Sequence, residues 1–221
     1  MNDNTELDPL YVAARRVLLD ALAALAPHGK AFIVVGAQAV YLRTQPNEVV
    51  VTVAPYTTDA DLALDPTLLG DEPLLEDSMR RAGFELRGDN DDQTQPGIWS
   101  AIENVEVAGV AALLVAKAHK IHDRVATGRV DRLSDKDAAD VYRIMQTASP
   151  PEVVATLRAL LVDPLAGGVT EQALDYLRDL FGRRTGEGVA MAQRALRLAT
   201  DEAQIATLSV SFTQRLRDAR S

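Results

Sequence analysis

Apolar positions in residues 7–26 recur at helical spacing. Leu10, Ala14, Val17, Leu18, Ala21, Leu22 and Leu25 fall on one stripe. The spacing predicts an amphipathic helix, ended by Pro27, His28 and Gly29. The period then changes. Ala31, Phe32, Ile33, Val34 and Val35 form a short apolar, β-branched run between Gly29 and Gly36, the signature of a buried strand. Gly36, Ala37, Gln38 and Ala39 open a short helix that runs to about Arg43. Strands are expected over 49–53 and 57–64, around the turn at Pro55, with Asp65 and Pro66 ending the second. Residues 71–82 read as a helix, 84–87 as a strand, 88–97 as a polar, acidic loop and 98–107 as a weak strand region.

From Val110 onward the pattern is almost wholly helical. Helices are expected over 110–127, 135–147, 151–162, 170–182, 187–199 and 201–218, separated by Gly167-Gly168 and by the stretch 182–188. The fold class is therefore read as α+β. An α/β domain over 1–109, with a mixed sheet and flanking helices, precedes a helical domain over 110–221.

Composition narrows the function classes. The chain has 221 residues, 47% of them hydrophobic, with 23 Lys+Arg against 32 Asp+Glu and a net charge of −9. That apolar fraction argues against disorder, and the length suits one large domain or two small ones. The longest apolar runs, such as 107–116, are too short to span a bilayer. There is no Cys, hence no disulfide, thiolate metal site or Cys nucleophile. The acidic start lacks the basic-then-apolar order of a signal peptide, so a cytoplasmic protein without membrane contact is expected. The negative charge disfavours broad, non-specific nucleic-acid binding but allows a local basic site.

The informative segment is Val34-Val35-Gly36-Ala37-Gln38-Ala39, followed some twenty residues on by Thr57-Thr58-Asp59-Ala60-Asp61-Leu62-Ala63-Leu64. On a strand, Asp59 and Asp61 project together, and Leu62 and Leu64 face the other way, toward a core. Two neighbouring carboxylates repel, and a cation between them removes the repulsion. Mg²⁺ suits such a pair because it takes carboxylate oxygens and keeps waters and substrate phosphates. Gly36 lets the backbone turn sharply, and the helix that follows offers free N–H groups to a phosphate. The bland alternative is a pair of acids guarding an exposed strand edge. Strand, Gly turn, helix and Asp-x-Asp together resemble the nucleotidyltransferase fold of the DNA polymerase β superfamily.

A second segment follows. On a helix from Val110, Leu114, Ala118, Ile121 and Val125 form one stripe, with Lys117, Lys120 and Arg124 on the flanking stripe. Lys117 is expected at the edge of the core. Six bases and three acids between Lys117 and Lys136 make this stretch locally positive, as an anionic substrate requires; the commoner meaning is a solvated basic face. Ser134-x-x-Asp137 matches a capping box, so Asp137 is either a helix cap or, with Asp140, an inward carboxylate. An inward pair would need Lys117 or Lys120 as a partner across the helix pair.

A helix carrying Lys, a basic loop and then Lys-Asp-x-x-Asp resemble the AbiEii-type nucleotidyltransferases, toxin components of toxin–antitoxin systems. The resemblance spans residues 30–147. It implies a Mg²⁺-dependent enzyme that transfers NMP from an NTP to an acceptor hydroxyl, such as the tRNA 3′ end, with a cognate antitoxin as partner. It implies that Asp59 and Asp61 hold the metal and that Gly36 and Ala37 cradle the phosphates by their amides. Lys117, with Lys120, would meet the triphosphate, and Asp137 or Asp140 is the acid of the last motif. Ala37 stands where some relatives carry Ser. The superfamily's third carboxylate has only Glu103 and Glu106 as nearby candidates. Other acceptors, a protein or an aminoglycoside-like molecule, or a binding protein without chemistry, are the alternatives.

Elsewhere, His28 is expected at the surface of a turn. His119 and His122, three apart, suggest surface or RNA contact. Trp99 suggests a core or lid anchor, Tyr41 and Tyr142 packing, and Asp89, Asp91 and Asp92 a solvated loop.

Overall fold

A computed structural model describes residues 9–44, 60–84, 107–128 and 132–220. These are mostly helical, with one two-stranded antiparallel sheet, an α+β composition. By contact density the chain divides into two compact units: Met1–Ala39 with Ala54–Ala108, and Val40–Val53 with Gly109–Ser221. The strands expected over 49–53 and 84–87, most of 98–107, and Asp59, Trp99, Glu103, Glu106 and the acids of the 88–97 loop lie outside the described residues.

The first unit begins with α1 (Pro9–Ala24), whose Ala14, Leu18 and Ala21 are buried as the periodicity predicts. A 3₁₀ segment, Ala26–Ala31, leads into β1 (Phe32–Val35), and α2 (Gly36–Arg43) follows without a break. β2 (Asp61–Leu64) pairs antiparallel with β1, placing Phe32 opposite Leu64 and Val35 opposite Asp61. Val107 adds a single parallel bridge to Val34. A short 3₁₀ turn, Pro66–Leu68, starts where Asp65 accepts the Thr67 N–H at 2.9 Å, and α3 (Leu75–Arg81) comes after it. Leu25, Ala31 and Phe32 form a small core, covered by Leu62, Leu69, Leu75 and Met79.

Two expectations fail here. Leu64 is exposed, because the cover ends at Leu62. His28 is buried, not at the surface: its Nε2 donates to the Pro73 carbonyl at 2.7 Å, tying the 3₁₀ segment to the stretch before α3.

The second unit holds α4 (Val110–Ala126), α5 (Arg132–Thr147), α6 (Pro150–Leu161), α7 (Gly167–Phe181), α8 (Glu187–Leu196) and α9 (Glu202–Leu216). α5 packs most closely on α8, and α4 on α7. Leu114 and Ile121 of α4, Tyr142 and Ile144 of α5, Leu177 and Phe181 of α7 and Met191 of α8 are buried in the core. Gly188 permits α8 to approach α7: a Cβ there would meet the Phe181 ring at 2.7 Å. Asp201 caps α9 by accepting the N–H groups of Ala203 and Gln204. No helix among the described residues is long and apolar enough to cross a membrane.

Candidate functional site

The expected site residues fall into two groups, one in each unit. In the first unit, β1 delivers the chain to Gly36, which takes a φ of 68°. That left-handed conformation is open to glycine and strained for almost any other residue. It is followed at once by α2, whose first-turn N–H groups have no partners within the helix. Because Val35 pairs with Asp61 across the ladder, the Asp61 side chain lies directly against Gly36. A Cβ at Gly36 would collide with Asp61 Oδ2. The glycine is therefore required twice, once by the backbone and once by the carboxylate beside it. Asp61 is exposed, and no hydrogen bond or ion pair holds its carboxylate among the described residues. Ala37 is buried, so it offers only its backbone. Gln38 is buried too, and Arg15 Nη1 donates to its Oε1 at 3.4 Å.

In the second unit, α4 and α5 bring cations and acids together. Lys117 is 4% exposed, Asp137 3% and Asp140 1%. Lys117 Nζ donates to Asp137 Oδ1 at 2.5 Å and to Asp140 Oδ2 at 2.8 Å. Asp137 takes Arg124 on its other oxygen, and Lys120 stands 3.4 Å from Oδ1. Arg143 lies 3.7 Å from Asp140 Oδ1, and its guanidinium stacks over the Tyr41 ring at 4.9 Å. Burial opposes the charge on Lys117, but Asp140 and Asp137 together outweigh it and hold the ammonium above its ordinary range. An ammonium carries three donors, and two are used here. Four cations meet two carboxylates, and of these cations Lys120 is the most exposed (48%).

This geometry alters several expectations. Lys117 is inside the core rather than at its edge. Asp137 is not a helix cap: α5 starts at Arg132, five residues earlier, and the carboxylate is committed to α4. The solvated basic face is not what α4 presents either, since Lys117, Lys120 and Arg124 all converge on Asp137. The two histidines face α7. His122 stacks on Tyr176 with centroids 3.7 Å apart, and His119 meets the same ring edge-on while its Nε2 donates to the Val169 carbonyl at 2.8 Å. Sequence reasoning did not single out Arg124 and Arg143 as site residues. Their spacing held the signal, since Arg124 lies two turns beyond Lys117 and Arg143 lies three residues beyond Asp140.

No protein-family model, curated protein or solved structure matches this chain. The functional reading therefore rests on the residues themselves.

Among the described residues, no group of three His, Cys, Asp or Glu gathers to hold a metal. At the Gly36 corner, Asp61 offers a free, hard oxygen donor of the kind Mg²⁺ takes. The donor type fits that ion, which binds through one or two carboxylates and keeps waters and substrate phosphates.

Proposed function

We propose that the chain is a Mg²⁺-dependent nucleotidyltransferase on a nucleotidyltransferase-like fold. The observation that carries this reading is the Gly36–Asp61 corner. A left-handed glycine ends a buried strand, opens a helix, and has an unpaired carboxylate packed against it from the neighbouring strand.

In this reading Asp61, with Asp59, holds Mg²⁺, which would screen the charge of the nucleotide phosphates. The N–H groups of Gly36 and Ala37 would donate to phosphate oxygens at the start of α2. In the helical unit, Lys120 is the cation open to an anionic group, above the buried Lys117. Asp137 and Asp140 keep that lysine charged inside the core. The acceptor hydroxyl gives up its proton to solvent as its oxygen bonds to the α-phosphorus, the bond from that phosphorus to the bridging oxygen breaks, pyrophosphate leaves, and NMP is transferred. The six bases against three acids over residues 117–136 favour a polyanionic acceptor, so tRNA leads over a protein or a cationic antibiotic. With tRNA as the acceptor, the chain acts as a toxin restrained by a cognate antitoxin.

The test is label transfer. The purified chain is incubated with each α-labelled NTP, Mg²⁺ and total tRNA, then with a cell lysate and with an aminoglycoside. The expected result is labelled tRNA with one NTP. Label on protein or antibiotic alone keeps the enzyme and replaces the acceptor. Absence of both NTP binding and label overturns the reading and leaves a binding protein.

A further inference from the structure

A second feature lies within the helical unit, away from both clusters. α7, α9 and the 3₁₀ turn Arg217–Arg220 enclose a cavity of about 290 Å³. Its floor is apolar, formed by Leu174, Leu177 and Leu216. Its rim carries three guanidinium groups, from Arg178, Arg217 and Arg220.

The rim is held in place. Arg220 Nη1 donates to Asp175 at 2.9 Å and its Nη2 to the Glu171 carbonyl at 2.8 Å. Arg178 lies 3.1 Å from the same Asp175 and 3.4 Å from Asp179. From α6, Arg158 forks onto the Asp218 carbonyl at 2.7 and 3.1 Å and fixes the turn from its outer side. Two groups on the wall are unsatisfied. Arg217 has no hydrogen bond or ion pair among the described residues. Thr213, 4% exposed, has a hydroxyl without a partner. The Thr213 hydroxyl is closed off from the cavity, so Arg217 is the donor open to a ligand.

We propose that this cavity binds a small amphiphilic carboxylate, with its charged head at Arg217 and its apolar body on the leucine floor. An open cavity of this volume takes a short apolar chain, and octanoate is the simplest such carboxylate. Asp175, already shared by Arg178 and Arg220, shows that this rim accepts a carboxylate. Arg217 is the donor left for a second one. The site is independent of the transferase reading.

The probes are octanoate, octyl phosphate, octanol and acetate, titrated into the full chain and followed by calorimetry and by methyl NMR shifts. Octanoate should bind and shift Leu174, Leu177, Thr213 and Leu216. Octanol, without the charge, and acetate, without the body, should each bind at least about tenfold more weakly. Octyl phosphate binding as well as octanoate would widen the head group to anions in general and so overturn the choice of a carboxylate. Arg217→Ala, at an exposed and unpartnered position, should fold normally and lose about tenfold in octanoate affinity. Thr213→Val, which removes a hydroxyl closed off from the cavity, should leave the octanoate affinity within about twofold of the parent. The proposal fails if octanoate does not bind at millimolar concentration, if its shifts fall elsewhere, or if Arg217→Ala binds it as the parent does.

Discussion

The two clusters spend charge in opposite ways. At the Gly36–Asp61 corner, one carboxylate is exposed and unpaired, placed by backbone geometry alone. Around Lys117, charges are buried and satisfied by one another. An exposed acid contributes little to folding and is free to take a ligand. A buried ion network is bound into folding, because removing one member strands the rest. The corner should therefore separate activity from stability, whereas the Lys117 cluster should not.

The largest expected effect follows from stranding. Lys117→Met leaves Asp140 buried with only the distant Arg143, and should destabilise the chain by about 3 kcal/mol or more in chemical denaturation. Lys120→Ala, on a half-exposed group, should lose less than about 1 kcal/mol by the same measurement. Similar losses in both would remove the distinction between the buried and outward cations.

Gly36→Ala comes next. Its left-handed φ and the collision with Asp61 should together cost about 1–3 kcal/mol. In an Asp61→Ala background the collision is gone but the φ remains, so the same substitution should cost less. A double-mutant cycle measures that coupling. Purely additive losses would mean that Asp61 does not lie against Gly36.

The alkaline limb of stability gives a smaller, signed effect. Lys117 is raised above the ordinary lysine value of 10.5, so the folded state holds its proton more tightly than the unfolded chain. The stabilisation is complete below that value and is lost as pH rises through the raised one. Denaturation midpoints of the parent should fall above about pH 10.5, and those of Lys117→Met should fall less steeply. Equal slopes would place the titration elsewhere.

Much of this was legible before the fold was described. The starts of α4, α6, α8 and α9 lie within one residue of what periodicity predicts, since each has a continuous apolar stripe. The pairing of Asp137 and Asp140 with a lysine followed from the cost of an inward carboxylate. What failed was one local turn and the contacts across long separations. Gly167 and Gly168 read as a break, but α7 begins there because Asp163 accepts the N–H groups of Leu165 and Ala166 and turns the chain into the helix. The burial of His28 depends on Pro73, and the stacking of His122 on Tyr176 depends on which helices become neighbours. Neither contact leaves a local periodic signal.

The smallest expected change in stability carries the most weight. Asp61→Ala removes an exposed, unpaired group and should move the folding free energy by less than about 0.5 kcal/mol. The decisive measurement pairs its denaturation curve with α-labelled NTP transfer on one protein sample. The account predicts an unchanged midpoint and no transferred label. A folded Asp61→Ala protein that still transfers label would contradict it.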